Sequence, residues 1–233
     1  MADSNSIEQF KSDALAAAKL FPGLHLLTCS PPALEGIITL YDESGNPADE
    51  YELRIDYKPG YPYFFPYVFE TGGRIPVNVE WHVYESDGHL CICTTTDEYI
   101  KTANGLNLTT FIKDELIPYL FNQTYRRLTG FFLNEMAHGE QGELATLKLL
   151  LNTKETANIH WLILRTLNGA HIERTSMCFC GSKLKYRYCH RSAVDKLKSL
   201  GEYKLRTLIN LVEGTREYQT SISNRQMNQL TTN

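Results

Sequence analysis

Residues 61–93 read YPYFFPYVFETGGRIPVNVEWHVYESDGHLCIC, and the rest of the chain is arranged around them. Pro62 and Pro66 push Tyr61 and Phe65 out of the helical region, because the proline Cδ collides with a helical residue before it. Tyr67, Val68 and Phe69 then read as a short strand that stops at Thr71-Gly72-Gly73. Between Ile75-Pro76 and Cys93 neither a helical nor a strand period is visible, so that segment is expected to be irregular but packed. It carries Trp81 and His82, then Gly88, His89, Leu90 and Cys91. A cysteine held on such a segment, with His82 and His89 nearby in sequence, is a candidate nucleophile.

Upstream, residues 6–21 predict an amphipathic helix with Ile7, Phe10, Ala14, Ala17 and Phe21 on one face; Ser6 and Gln9 have capping-box spacing. Residues 24–29 and 34–41 predict strands, and Asp42 to Ala48 form a turn cluster. Tyr51, Leu53, Ile55 and Tyr57 alternate with Glu52, Arg54 and Asp56, the period of a half-buried strand. One helix and four strands in succession predict an α+β fold built on an antiparallel meander.

The chain has 233 residues and is 42% hydrophobic, enough for a full core and an appendage. A net charge of −4 argues against general nucleic-acid affinity. No stretch approaches the ~20 apolar residues of a membrane span. The opening MADSNSIEQF has no basic segment followed by an apolar one, so no secretory signal is expected. Six cysteines without an export signal suggest a reducing, cytoplasmic setting in which thiols serve metals or catalysis.

The order of features in residues 61–93 resembles the ubiquitin-conjugating (UBC) fold enzymes. Tyr61-Pro62, Pro66, Val68 and Phe69 correspond to that family's proline-bounded strand, with the prolines one residue further apart. His82 stands near the histidine of its His-Pro-Asn turn, and Gly88-His89-Leu90-Cys91 matches its thiol signature. The family's oxyanion asparagine falls at Tyr84 here, which leaves His82 as the nearest substitute. The resemblance implies a UBC-like catalytic domain over residues 1–140, with Cys91 as the thioester-forming residue and His82 as donor or proton acceptor.

Not every residue in the stretch supports this chemistry. A lone cysteine is more often a small core hydrophobe than a nucleophile. Cys93 competes with Cys91 but fits the glycine spacing less well and is expected to pack, as is Cys29 on a strand. His82 has an alternative reading as a histidine satisfied in a packed loop. His89 fills the variable position of the signature and is expected at the surface, without a chemical role. Asp97 and Glu98 follow the thiol but have no assignable role.

After Cys93 the chain reads as a polar stretch and an exposed loop over residues 101–107. A helical pattern resumes at Thr110 and runs toward Leu133, with Pro118 expected to kink or divide it. Gly139 and Gly142 break the helix, and His138 is expected to be a helix-end residue. Residues 143–151 and 157–167 predict two helices of an extension spanning 141–170, with Gly169 as a cap. Residues 194–212 are helical by period with Gly201 as a weak point, and from Glu213 onward the chain reads as polar and frayed.

Residues 176–191 read SMCFCGSKLKYRYCHR. Cys178, Cys180, Cys189 and His190 form two close ligand pairs around a glycine-containing basic loop, a donor set suited to tetrahedral zinc. The run resembles the SEC-C motif through Cys178, Cys180, Gly181, Ser182, Lys185, Tyr186, Cys189 and His190, which implies a structural zinc knuckle over residues 171–192, ahead of a C-terminal helix and tail over 193–233. The basic residues from Lys183 to Arg187 read as a partner-facing surface rather than a nucleic-acid site.

The UBC-like resemblance, which covers roughly the first 150 residues, implies a bacterial ubiquitin-conjugating-like acyltransferase, similar to the stand-alone enzymes of short type II CBASS anti-phage operons, to which the SEC-C tail is not tied. Its implied partners are a protein whose C-terminus is conjugated, in that family a cGAS-like nucleotidyltransferase, and a target lysine; neither nucleic acid nor membrane is expected. The alternatives are a catalytically inactive UBC-like binding scaffold, a Cys-His thiol hydrolase lacking an identified orienting residue, and a conjugating enzyme of another bacterial ubiquitin-like operon.

Overall fold

The computed structural model describes residues 4–135, 137 and 139–230, with residues 224–230 as backbone. The expectation for His138 falls outside them. The first elements are α1 (Ser4–Leu20), β1 (Leu24–Leu27), β2 (Ala33–Tyr41), β3 (Pro47–Asp56) and β4 (Tyr67–Glu70). Helices α2 (Thr95–Lys101), α3 (Leu108–Phe111) and α4 (Ile117–Thr129) follow. The last are α5 (Gly139–Leu150), α6 (Thr156–Leu167), α7 (Arg191–Lys198), α8 (Gly201–Gly214) and α9 (Arg216–Leu230). These elements divide into two compact units, Met1–Cys93 with Asn104–Met136 and Thr94–Ala103 with Ala137–Asn233.

In the first unit the four strands form an antiparallel sheet in the order β1-β2-β3-β4, as the α+β reading expects. The alternation seen in the sequence sets its register. Leu34 faces Ile55, Gly36 faces Leu53 and Ile38 faces Tyr51, and all the side chains among these are buried. They share one hydrophobic cluster with Phe10, Ala14 and Ala17 of α1 and Phe111, Leu116 and Leu120 of the later helices. Gly36 has a backbone no larger residue accepts easily: its φ is +140° and an added Cβ would stand 2.0 Å from the Gly23 carbonyl oxygen.

Two local expectations change, and the interruption expected at Pro118 is found. Ser6 lies inside α1 rather than capping it, and its hydroxyl donates to the Tyr61 carbonyl and pairs with the Tyr57 hydroxyl at 3.1 Å. The chain ahead of α4 widens into a π-helical segment, Ile112–Leu116. Pro118 supplies the reason: without an N–H it cannot bond the Asp114 carbonyl, so the ladder loosens just before it. Gly130, at φ 89°, then ends α4 short of Leu133.

The second unit is helical. Ile159, Leu162 and Ile163 of α6 are buried, as are Leu205, Leu208, Ile209 and Val212 of α8, and these two helices pack together. Residues 95–101, read as polar stretch and loop, form α2 within this unit. Thr94 caps α2 by accepting from the Asp97 amide at 3.2 Å. The Glu143 carboxylate of α5 adds a buried acceptor, taking the Thr95 and Thr96 amides at 2.6 and 3.1 Å and the Thr96 hydroxyl at 2.9 Å. At the other end, buried Lys204 of α8 donates to the Thr102 hydroxyl at 2.9 Å, below the last carbonyls of α2. Anion at the N-terminus and cation at the C-terminus both oppose the helix dipole. Burial holds the Lys204 ammonium below its ordinary pKa.

The frayed tail expected after Glu213 is instead α9. Glu217 accepts from Lys148 at 2.8 Å and from the Thr156 hydroxyl, and Tyr218 is buried, so tertiary anchors replace the missing apolar period. The long helix read over 194–212 is two helices, α7 and α8, broken where Gly201 takes φ +74°. Among the described residues no helix is long and apolar enough to cross a membrane.

Glu143→Ala should destabilise the second unit by about 1–3 kcal/mol, the usual cost of leaving buried donors without an acceptor. Urea unfolding followed by Trp161 fluorescence in a Trp81→Phe background measures this; an unchanged midpoint would show that α2 does not depend on Glu143.

Candidate functional site

Residues 82–84 and 89–91 form a short antiparallel hairpin on the edge of the sheet. Val83 and Leu90 are bridge partners, flanked by Tyr84 N–H to the His89 carbonyl at 2.9 Å and Cys91 N–H to the His82 carbonyl at 2.7 Å. The turn closes with Gly88 N–H on the Tyr84 carbonyl at 2.8 Å, and Gly88 takes φ +84°. The hairpin is fixed to β4 by Leu90 N–H on the Val68 carbonyl at 2.8 Å and a Phe69–His89 bridge. Where the sequence predicts irregular backbone there is thus a ladder, too short for a period of two to show. The Asp87-Gly88 dipeptide is the signal that identifies it, since such a pair marks tight turns between strands.

Val83 and Leu90 are 3% and 4% exposed and belong to the core. In this register Cys91 stands across from His82, and His89 from Tyr84. Cys91 is partly exposed. Cys93 is also partly exposed and packs against the core, the placement its reading called for. Cys29 does not: β1 ends at Leu27, and Cys29 is exposed beyond it, its thiol donating to the Pro31 carbonyl at 3.0 Å. The prolines at 31 and 32 have no N–H to extend the ladder.

His82 ends the 3-10 turn Val79–Trp81 in the left-handed region, at φ 53° and ψ 45°. It is 8% exposed, and its ring lies 4.9 Å from that of Phe132. Helix α4 fixes this turn from below. Tyr119 donates to the His82 carbonyl at 2.9 Å and Gln123 to the Trp81 carbonyl at 2.8 Å. Arg126 donates to the Glu80 carbonyl and lies 4.5 Å from the rings of both Trp81 and Phe132. Burial pushes the Tyr119 phenol above its ordinary pKa, so it remains a donor throughout the neutral range. Neither Tyr119 nor Gln123 is marked in sequence, because their role depends on a contact some forty residues away.

His89 is not the exposed residue its position suggests. Its side chain is 21% exposed, stacked on Tyr84 at 4.2 Å and edge-on to Tyr67 at 5.2 Å, and its Nδ1 is 2.6 Å from Asp87 Oδ1. The contact with His89 holds the Asp87 carboxyl below the usual carboxylate pKa. Asp97 and Glu98 lie in the first turn of α2, in the second unit.

In the second unit Cys178, Cys180, Cys189 and His190 converge, with their ligand atoms all within 4.8 Å of one another. His190 Nδ1 is 3.3 Å from the Cys178 sulfur and 3.1 Å from that of Cys189, and the Cys180 and Cys189 sulfurs are 3.5 Å apart. Sulfurs on a tetrahedral ion at about 2.3 Å would be about 3.8 Å apart, so these four residues could hold a metal ion. The knuckle is shaped by Cys178 N–H on the Leu184 carbonyl at 2.8 Å and by Gly181 at φ +76°. Phe179 packs on His190 at 4.9 Å and on Trp161 at 5.0 Å, joining the knuckle to α6. Before any metal charge is counted, burial pushes the Cys178 thiol up to about 11. Burial also opposes the Cys180 thiolate, but hydrogen bonds from Ser182 and the neighbouring thiols bring it down to about 7. Comparison with known proteins finds no match for the chain among protein-family models, curated proteins or solved structures.

Freshly purified protein should carry about one metal ion per chain by elemental analysis, and a Cys178→Ser, Cys189→Ser double variant should carry none. A knuckle this small depends on its ion, since structural zinc contributes on the order of 10–16 kcal/mol in finger peptides. Full metal retention by the double variant would refute the assignment of these ligands.

Proposed function

We infer that the chain is a ubiquitin-conjugating-like acyltransferase in which Cys91 carries the acyl group as a thioester. The observation that carries this reading is the hairpin at the β4 edge, which holds a partly exposed cysteine across from a histidine, beside a four-stranded meander that follows one N-terminal helix. That arrangement agrees with the UBC-like reading of residues 61–93.

The chemistry asked of the site is modest. The Cys91 thiolate attacks the carbonyl carbon of an activated C-terminus, and the activating group leaves. A lysine amine then attacks the thioester carbonyl, the C–S bond breaks, an amide forms and the thiolate is released. His82 is the candidate donor to the oxyanion, since Tyr84 occupies the position of the family's asparagine. Cys178, Cys180, Cys189 and His190 would hold a structural zinc, for which four thiolate and imidazole donors are a suitable set. A CBASS-type cytoplasmic setting, with a cGAS-like nucleotidyltransferase as the conjugated partner, follows from the family resemblance.

Cys91→Ala should abolish a reductant-sensitive adduct with the partner's C-terminus, Cys91→Ser should convert it into a reductant-resistant oxyester, and Cys93→Ala should leave it intact. Products from co-expression with the neighbouring genes, run with and without reductant, show this. Conjugation that survives Cys91→Ala would refute the reading, and the absence of any adduct would favour a binding scaffold.

His82→Ala should slow transfer about tenfold while moving the melting temperature by no more than a few degrees. Unfolding, or normal transfer, would return His82 to a packing role against Phe132.

A further inference from the structure

The hairpin puts on one face residues to which the sequence reading gave different roles. Leu90 is buried and pairs with Val83 on one side and β4 on the other, so its neighbours His89 and Cys91 belong to the opposite face of the segment. The 4.2 Å stack of Tyr84 on His89 shows that the pleat is followed at that pair. Residues two apart on a strand are separated by about 6.6 Å, a span across which one small reacting group can touch both side chains.

His89 also has the partner a proton-transfer histidine requires. A neutral imidazole that donates Nδ1–H to Asp87 Oδ1, 2.6 Å away, has its lone pair on Nε2. Asp87 fixes that tautomer and stabilises the imidazolium once it forms, while Tyr84 and Tyr67 restrict the ring. The Lys58 ammonium lies over the Tyr67 ring at 5.0 Å.

We propose that His89, oriented by Asp87, is the proton acceptor of the Cys91 reaction. This rests on reading Cys91 as the acyl carrier. When a primary amine attacks the thioester carbonyl, nitrogen bonds to carbon, the C–S pair returns to sulfur, and the proton lost by nitrogen passes to His89 Nε2. Asp87 is a positioning residue in this scheme. The division of work leaves His82 to the oxyanion and His89 to the proton.

The full-length protein can be tested without its natural partner. p-Nitrophenyl acetate supplies the acetyl group and free lysine the amine, and acetyl on each cysteine is followed by mass spectrometry. Wild-type protein should acetylate at Cys91 and lose the group to lysine. His89→Gln, whose amide can still bond Asp87, should acetylate within a few-fold of the wild-type rate but transfer to lysine at least tenfold more slowly, within the 10²–10⁴-fold span of general base catalysis. Asp87→Asn should slow the same step by a smaller factor. Added imidazole should raise the rate by a larger factor in His89→Ala than in the wild-type protein or in free solution, which a purely structural role would not give. Normal transfer in both His89→Gln and Asp87→Asn would overturn the proposal and leave Cys91 as the acyl carrier. Acetyl that appears only on Cys29 or Cys93 would overturn the acyl-carrier reading itself, and the proposal with it.

Discussion

The hydrogen bond from the Leu90 amide to the Val68 carbonyl, 2.8 Å long, is the point at which the cysteine-bearing hairpin becomes part of the sheet. A short hairpin has little stability alone in water. Attached to β4 and covered by the core through Val83 and Leu90, it inherits the rigidity of the meander. The direction of every side chain on residues 82–91 then follows from which of its members are buried. Helix α4 reinforces the same choice from the other side, with Tyr119 and Gln123 bonded to successive carbonyls of the turn before the hairpin. Cys91 is presented by backbone geometry fixed at both flanks.

The meander was legible because one strand, β3, shows its period in full: Tyr51, Leu53 and Ile55, with Tyr57 just past its end, are all buried. The Cys/His cluster was legible because its four residues, close in space, are also close in sequence. The remainder could be recovered only from long-range contacts. Helix α2 is polar in sequence, and its ends bond Glu143 and Lys204, carried on helices that lie far along the chain. Helix α9 lacks an apolar stripe and is held by Glu217, Thr156 and the buried ring of Tyr218. His89 was misplaced for a related reason: a position that varies within a motif says nothing of a partner two residues before it. The Asp87-Gly88 turn that brings that partner round was present in the sequence, but a ladder of three residues on each side gave it no periodic context.

The two units use charge differently. In the first, Asp49 accepts from the Thr124 hydroxyl at 2.7 Å and pairs with Arg74 and Arg127, joining β3 to α4 and to the loop after β4. Its side chain is 5% exposed; burial raises its pKa, but the Thr124 hydroxyl, the Glu50 amide and Arg127 outweigh it and hold the value below the ordinary one. In the second unit the buried charges Glu143 and Lys204 serve a helix rather than each other, one at each terminus of α2. Such an arrangement fixes the position of a short helix along its axis, which packing of apolar side chains does less sharply.

Helix α2 is synthesised long before the helices that hold it. Beyond its own cap Thr94, its terminal partners Glu143 and Lys204 come from α5 and α8, so the seven residues from Thr95 to Lys101 have both only once position 204 has been made. A helix of that length has no stability of its own in water. The first unit is also interrupted by this segment, because its own later helices, α3 and α4, follow α2 in the chain. All the residues of the meander, α3 and α4 therefore precede those partners of α2 in the chain, with α2 inserted between the parts of the first unit.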